Sequence, residues 1–472
     1  MSASSGTRAA GMVHGCVIAA LAIFVALVPA SGTTSARAWT TSARSSAESV
    51  LPPPTLARCL SVLHLPCYRP AQLQRAYDLR PLYRRGLNGK GSTIVIVDPF
   101  GSPTIGHDLR EFDHAFGLPN PPMLRVAQPV GAIPPFNPKN QGMVDKAGET
   151  TLDVEWSHAI APGASILLVE TPVQETAAGR GFSQYMAAEN YVINHDLGDV
   201  ISQSFSLPEQ NFGRARIARL RSAYRNAERH HVTVVGASND NGVTGPRSAG
   251  GLYAHRVVQW PASDPLVTAV GGTKLHLDAS GRRTSPDTVW NDTYDPLISK
   301  LTTGSAPPVP WASSGGVSSI FTRPAYQDGV RGIVSDHRGV PDVSMSAAFS
   351  GGVMLYETYP GAVAGGWAPV NGGTSEAAPE FAGIVAIADQ YARTRLHKGR
   401  LGLINSALYR LAHAHASGIV DVTTGNNTVA FSSAPGKTTT VKGYAARRGY
   451  DLATGVGTIN AARFVPELAT AG

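Results

Sequence analysis

The sequence predicts an α/β protein built on a doubly wound parallel sheet. Short apolar runs rich in β-branched residues alternate with longer segments of helical spacing, which is the order of parallel strands joined by helical crossovers. The runs are continuously apolar, as expected for strands buried on both faces of a sheet. The 50 Gly and 34 Pro residues also favour a loop-rich α/β protein over a helical bundle.

The strand pattern recurs between residues 92 and 273, at 92–98, 164–170, 199–206, 231–238 and 266–273. Helices are predicted between these strands, at 148–160, 180–194 and 214–230. There is no internal repeat and no second composition regime along this part of the chain. Residues 68–470 are therefore predicted to form one large domain.

The N-terminal residues have the pattern of an export signal. Arg8 precedes an apolar run at 16–30, and residues 36–38 (Ala-Arg-Ala) supply small side chains for cleavage. The run is shorter than the roughly 20 apolar residues that span a bilayer, and no later segment approaches that length. We therefore predict a signal peptide over 1–38, a secreted extracellular protein, and no stable membrane association after cleavage.

Residues 39–67 are predicted to be a linker rich in Ser, Thr and Pro. Once the signal is removed, Cys59 and Cys67 remain as an even pair of cysteines. An oxidising compartment favours a disulfide between them, and two free thiols are the alternative.

The charge balance argues against a nucleic-acid partner. The chain has 40 basic and 33 acidic residues, a net charge of +7, but the basic residues are scattered in short clusters. A nucleic-acid-binding protein would concentrate them on one element or stripe. No motif indicates a nucleotide, flavin or haem.

The strongest chemical signal is Ser375, within the segment that runs from Gly372 to Gln390. It follows Gly-Gly-Thr and precedes a long apolar helix pattern. A serine hydroxyl at a helix N-terminus lies where backbone N–H groups and the helix dipole favour developing negative charge. We interpret Ser375 as a nucleophile, with a plain N-cap as the alternative.

A nucleophilic serine needs a base, which in many peptidases is a histidine. Neither His107 nor His158 stands in the His-Gly-Thr context of such a base. Glu149 and Asp153 are instead spaced i, i+4, so both carboxyl groups share one helix face. Two close carboxyl groups can share a proton, one acting as base and the other orienting it. An ordinary solvated acidic face is the alternative.

A third acid, Asp240, follows the predicted strand at 231–238. In open α/β sheets, sites form at the carboxyl edge of the strands. A turn aspartate in the Asn-Asp-Asn-Gly loop is equally compatible with the local sequence.

These motifs together resemble those of the sedolisins, the serine-carboxyl peptidases. The order Glu-xxx-Asp, Asp after a strand, and Gly-Thr-Ser-xxx-Pro agrees, and intervening strings such as APGASILLVE and WPASDPLVTAVGGT extend the resemblance over nearly all of 68–470. The resemblance implies a subtilisin-like three-layer α/β sandwich with a mostly parallel seven-stranded sheet. It also implies a serine-type endopeptidase that acts on protein or peptide substrates, which we expect to be a monomer.

The resemblance implies a role for each catalytic residue. Ser375 would be the nucleophile and Glu149 its general base, while Asp153 would hydrogen-bond Glu149 and share its proton. Asp240 would be a protonated acid that donates a hydrogen bond to the oxyanion beside the Ser375 backbone N–H. A carboxylate base has an ordinary pKa of about 4, so activity in acid is expected.

The resemblance further implies one structural calcium ion near the end of the domain. Its ligands would be the carboxylates of Asp421 and Asp451 and the carbonyls of Val422, Arg447 and Gly449, all hard oxygen donors of the kind that calcium prefers. Arg447 stands where the family usually has a glycine, but a main-chain ligand survives that change if the backbone conformation is kept.

The sequence departs from the family pattern in three places. Residues 204–206 (Ser-Phe-Ser) replace Ser-Trp-Gly in the substrate cleft, so subsite preference is not carried over. Asp98 replaces a glutamate that supports the catalytic carboxyl groups in some members. The long folded prosegment of the family is expected to be missing, because only residues 39–67 separate the predicted signal from the domain.

Two alternatives to a serine-carboxyl peptidase stay open at this point. One is a subtilisin-type peptidase with a Ser-His-Asp triad. The other is a catalytically inactive binding module on a peptidase fold.

Overall fold

The computed structural model of the chain describes residues 51–472. The predicted signal peptide and the first part of the predicted linker lie outside these residues. In chain order the α-helices are α1 (Leu56–Val62), α2 (Pro70–Ala76), α3 (Arg80–Tyr83), α4 (Ile105–Phe116), α5 (Gln141–Ile160), α6 (Phe182–Asn194), α7 (Arg214–Leu220), α8 (Ser222–Arg229), α9 (Pro296–Thr303), α10 (Arg331–Val334), α11 (Thr374–Arg395), α12 (Asn405–His413) and α13 (Ala461–Ala471).

The strands alternate with these helices. In chain order they are β1 (Cys67–Tyr68), β2 (Thr93–Pro99), β3 (Leu124–Ala127), β4 (Ser165–Thr171), β5 (Val200–Gln203), β6 (Leu207–Pro208), β7 (Thr233–Ala237), β8 (Gln259–Trp260), β9 (Thr268–Lys274), β10 (Thr288–Val289), β11 (Gly316–Thr322), β12 (His337–Val340), β13 (Val343–Ser346), β14 (Gly352–Tyr356), β15 (Trp367–Asn371), β16 (Ile419–Val420), β17 (Val429–Ala434), β18 (Lys437–Val441) and β19 (Thr458–Ile459). Short 3-10 helices lie at Glu209–Asn211, Ala325–Val330 and Phe349–Gly351.

The central sheet of the described chain has eight strands. Seven of them run parallel, in the order β3-β4-β2-β5-β7-β9-β13, and the eighth, β10, is antiparallel to β9. The predicted α/β fold with a mostly parallel seven-stranded sheet is confirmed.

The sheet is covered on both faces because successive side chains of a buried strand point to opposite sides. Ile94 and Ile96 of β2 belong to the core that includes α5 and α11, and Val95 and Val97 belong to the core that includes α6 and α8. The result is the three-layer arrangement that the resemblance implied.

The predicted strands are observed as β2, β4, β5, β7 and β9, with ends that differ by at most three residues. The predicted helix at 148–160 is longer, because α5 begins at Gln141, where the side chain of Asn140 caps it by accepting from the Gly142 N–H. The predicted helix at 214–230 is two helices. Arg221 leaves helical geometry between them and makes two 2.8 Å hydrogen bonds to Asp264.

The described part of the predicted linker, residues 51–67, packs against the rest of the protein. Cys59 and Cys67 are joined in a disulfide and both are buried. β1 pairs parallel with β14, and the Trp367 indole N–H donates to the Leu51 carbonyl oxygen. This part of the segment differs from a free linker because its backbone and apolar side chains have partners.

A membrane-spanning helix would have to be both long and apolar. No helix within residues 51–472 meets both conditions.

Candidate active site

Ser375 lies in the first turn of α11, which packs against the central sheet and against α5. The turn before it requires glycine, because Gly373 has a φ of 94° and a Cβ at Gly372 would lie 2.6 Å from the Ala347 carbonyl oxygen. The helix therefore begins with a tight approach of its backbone to the loop after β13. Ser375 is 5% exposed, at the surface of a narrow cleft.

Glu149 and Asp153 lie on consecutive turns of α5, and both are buried. Burial raises the pKa of Glu149 to about 8, with the charge of Asp98 acting in the same direction and that of Lys146 against it. The Ser375 side chain also lowers the pKa of Glu149, as a hydrogen-bond donor does. The structure thus brings the predicted nucleophile and the predicted base together.

Asp153 lies one helical turn after Glu149 on α5 and is also buried. Burial, together with the charges of Asp98 and Glu149, raises the pKa of Asp153 well above its ordinary value, while the nearby Ser204 side chain lowers it. Two carboxyl groups that repel each other in a dry site lose their protons in two separate steps, so the pair holds one proton over a broad pH range.

Asp240 follows β7 and faces the start of α11. Its Oδ1 atom accepts from the Thr374 backbone N–H at 2.7 Å and from the Thr374 hydroxyl at 2.8 Å. The residue before it, Asn239, has a φ of 90°, and its N–H donates to the same hydroxyl at 3.0 Å. A strained residue held in this way fixes the direction of the next side chain. The third predicted acid therefore lies beside the nucleophile.

An ion pair in the same cleft has no counterpart among the predicted residues. The Nζ atom of Lys146 lies 2.6 Å from Oε1 of Glu175, and both side chains are buried. These two residues line the cleft together with Ser204, Asp240 and Ser375. The only sequence signal for Lys146 is its position on α5, three residues before Glu149.

Asp98, at the end of β2, is also part of this group. Burial raises its pKa to about 7, while the charge of Lys146 and the nearby Thr150 side chain lower it. Its charge acts on both Glu149 and Asp153 and raises the pKa of each.

The alternative with a histidine base finds no support in this geometry. Within residues 51–472, the side chains that line the cleft include no histidine. His158 is buried on α5, with its Nε2 atom 2.8 Å from the Pro119 carbonyl oxygen and 3.1 Å from Asp113. His107 is exposed.

The predicted calcium ligands come from two adjoining loops. Oδ2 of Asp421 accepts from the Gly449 N–H at 2.8 Å, and Oδ2 of Asp451 accepts from the Arg447 N–H at 2.9 Å. Val422 is buried beside Asp421. Two carboxyl groups and main-chain carbonyls on neighbouring loops form an all-oxygen set of the kind that calcium prefers. In this structure both oxygen atoms of Asp451 accept from backbone N–H groups, Oδ2 from Arg447 and Oδ1 from Ala453 and Thr454. Among the described residues, no group of three or more His, Cys, Asp or Glu is placed to hold a metal ion.

Comparison with known proteins adds an independent observation. No family model matches the sequence. Kumamolisin of Bacillus sp. (strain MN-32) is 32% identical over 399 residues, which are 83% of this chain and 61% of kumamolisin. Sedolisin of Pseudomonas sp. (strain 101) is 28% identical over 379 residues, which are 79% of this chain and 57% of sedolisin. Human tripeptidyl-peptidase 1 is 26% identical over 75% of this chain and 56% of its own length.

The chain therefore spans less than two thirds of the length of these relatives. The match to a solved structure is more complete. Pseudomonas sedolisin, complexed with two molecules of pseudo-iodotyrostatin, superposes with a TM-score of 0.68 at 25% identity, covering 86% of this chain and 99% of that one.

Proposed function

We infer that this chain, a relative of the sedolisins in sequence and in fold, is a serine-carboxyl peptidase that hydrolyses proteins or peptides through an acyl-enzyme. The observation that carries the proposal is the meeting of Ser375, Glu149 and Asp240. They lie on α11, on α5 and after β7, far apart in the sequence, and their side chains meet at one end of the sheet.

In the proposed first step, the Ser375 hydroxyl oxygen attacks the peptide carbonyl carbon and its proton passes to Glu149. The negative charge on the former carbonyl oxygen would accept hydrogen bonds from the Ser375 N–H and from protonated Asp240. Collapse breaks the C–N bond while Glu149 returns the proton to the leaving amine. Water then attacks the ester with Glu149 again as base, which releases the acid product and the free serine.

The proposed mechanism needs one proton on the Glu149–Asp153 pair and one proton on Asp240. Loss of the first proton from the pair creates the base, so it sets the acid limb of the pH–rate profile. Loss of the proton from Asp240 removes the oxyanion donor, so it sets the basic limb. The raised pKa of Glu149, about 8 without substrate, opposes the base form in acid, whereas the oxyanion role of Asp240 needs its proton. We propose that activity is strongest in acid because the second requirement dominates. We also propose that the protein is secreted and monomeric, with support for secretion from the export-signal pattern at 1–38.

The direct test is hydrolysis of a denatured protein from pH 2.5 to 8, with a search for an acyl adduct on Ser375 by mass spectrometry after an acid quench. We expect a bell-shaped profile with its maximum below pH 7 and an adduct on the peptide that contains Ser375. Activity that rises only through neutral pH would instead support a histidine base. A folded protein that shows no hydrolysis at any pH would support a binding module.

We propose that a calcium ion is held by the carboxylates of Asp421 and Asp451 and by the carbonyls of Val422, Arg447 and Gly449. When bound, it would add to the hydrogen bonds that already join the two loops, which include Gly449 N–H to Asp421 Oδ2 and Ala446 N–H to the Gly425 carbonyl oxygen. Its contribution is structural, because a ligand that binds only the folded state stabilises it.

Removal of calcium is therefore expected to lower the unfolding temperature. At a free calcium concentration about 100 times the dissociation constant, the stabilisation is about 2.7 kcal/mol. Thermal unfolding with excess calcium and with a chelator measures it, and Asp421→Asn should abolish most of the difference. Equal unfolding temperatures with and without chelator would contradict the proposal.

A further inference from the structure

We propose that Lys146 is a positioning residue of this site, whose buried ammonium group balances the charge of the Glu149–Asp153 pair so that the pair can supply a base in acid. The inference rests on the proposed function and deepens it. It begins from an ion pair that none of the sequence motifs includes.

The geometry places a permanent cation next to the carboxyl groups. Lys146 lies three residues before Glu149 on α5, and side chains at this spacing are neighbours on one helix face. Lys146 is 6% exposed, and it lines the same cleft as Ser375 and Asp240. An ammonium group at this position acts through a water-poor medium, where charges interact strongly.

The ammonium group is held in place by a second layer of contacts. Oε1 of Glu175 lies 2.6 Å from the Nζ atom of Lys146, and the Tyr185 hydroxyl donates to Oε2 of Glu175 at 2.5 Å. The Glu175 backbone N–H donates to the same hydroxyl oxygen at 2.9 Å. These contacts restrict the Lys146 side chain to one conformation. Its charge therefore has a fixed position, unlike the charge of a surface lysine.

Both members of the ion pair stay charged. Burial acts to lower the pKa of Lys146, but Glu175, Glu149 and Asp98 outweigh it and raise the pKa above its ordinary value. Burial acts to raise the pKa of Glu175, but Lys146 and the hydrogen bonds lower it overall. Because Lys146 keeps its proton, it is not itself the base that activates Ser375.

The surroundings of Lys146 are otherwise acidic. The titratable groups that act on Lys146 or on its acidic neighbours are Asp98 of β2, Glu170 of β4, Glu175 after β4, Tyr185 of α6, Asp240 after β7, and Glu149 and Asp153 of α5 itself. Lys146 lowers the pKa of Asp98, Glu149 and Asp153, so its influence extends beyond its partner. Without that charge, the pair would keep both protons to a higher pH.

The test is the pH dependence of kcat/KM for Lys146→Met, Lys146→Arg and Glu175→Gln. In Lys146→Met we expect the acid limb to move up by about one pH unit or more, which lowers kcat/KM on that limb about tenfold or more. Lys146→Arg keeps the charge and should restore the position of the limb. Glu175→Gln removes an opposing charge and should move the limb to lower pH.

These opposite shifts separate electrostatic positioning from a structural contact. A Lys146→Met profile that is lower by one constant factor, with the limb unmoved, would overturn the inference. So would a shift in the same direction for Lys146→Met and Glu175→Gln.

A second measurement does not depend on activity. In a Ser375→Ala background, the fall in unfolding temperature between pH 4 and pH 7 should be larger with Lys146→Met and unchanged with Lys146→Arg, which keeps the charge. If the parent shows no hydrolysis but this stability shift appears, the proposed function fails while the electrostatic role of Lys146 stands. Equal pH dependence in all variants would overturn that role.

Discussion

Glu149→Gln is expected to lower kcat by about 10²–10⁴-fold, the range typical for loss of a general base. Ser375→Ala is expected to lower it further, by up to about 10⁶-fold, because the nucleophile itself is removed. The physical reason is that glutamine cannot accept the hydroxyl proton, although it has nearly the same shape. Single-turnover and steady-state hydrolysis of one peptide substrate at the pH of maximum activity measure both effects.

The double variant provides a sharper test than either single one. If Glu149 acts only through Ser375, the double variant should be no slower than Ser375→Ala alone, because residues that act as a unit are not additive. Glu155→Gln is the matched control. It is a buried acid on the same helix that accepts from the Tyr356 N–H at 3.1 Å, and it should leave kcat nearly unchanged. Full activity of Glu149→Gln would exclude the proposed base.

Replacement of Glu376 and Glu380 by glutamine is expected to flatten the pH dependence of stability. These acids follow the nucleophile on consecutive turns of α11, and both are fully buried. Burial raises the pKa of each well above its ordinary value, with Glu376 adding to the effect on Glu380 and Ser346 opposing it at Glu376. The folded protein therefore keeps protons that the unfolded chain releases.

The sign of the effect follows from this difference. Below about pH 4.3, the ordinary pKa of glutamate, both states are protonated and the stability is fully present. As the pH rises toward the folded pKa, each such group destabilises the fold by about 1.4 kcal/mol per pH unit. Glu189, with a pKa raised by burial to about 8, contributes in the same direction. We thus expect maximum stability in acid and a loss of several kcal/mol by pH 8.

Denaturant unfolding at pH 4.5, 6 and 7.5 in a Ser375→Ala background measures this loss without self-digestion. Relative to that background, the Glu376→Gln/Glu380→Gln variant should gain stability at pH 7.5 but not at pH 4.5. Glu228→Gln, at an exposed position of α8, is the control and should leave the slope unchanged. Identical slopes in the variant and the background would show that the two buried acids are not protonated in the folded state.

The features that could be predicted from the sequence are those with a local pattern. Ser375 has its glycine turn and apolar helix, Glu149 and Asp153 have their i, i+4 spacing, and the buried strands are continuous apolar runs. β3 was missed because its side chains are only partly buried, and β13 (Val-Ser-Met-Ser) because its residues are mixed in polarity. Both strands find their places through pairing with β4 and β9, not through their own composition.

The parts of the site that could not be predicted depend on contacts between segments that are distant in the sequence. Glu175 meets Lys146 across 29 positions, and no spacing rule relates a loop after a strand to the start of a helix. The hydrogen bond from the Thr374 hydroxyl to Asp240 joins residues 134 positions apart, and no spacing rule predicts it either. The predicted helix at 214–230 divides at Arg221, which also has a distant partner, because its side chain donates two hydrogen bonds to Asp264.

The placement of Ser375 at the start of α11 has a consequence for engineering. α11 has 22 residues and is therefore about 33 Å long. Most of its length is buried in the interior of the protein. A substitution that tilts or shifts α11 would therefore also move the Ser375 hydroxyl. Directed evolution for thermal stability would therefore also alter kcat, through residues far from the substrate. Libraries that leave α11 and the residues packed against it unchanged should improve stability without changing kcat.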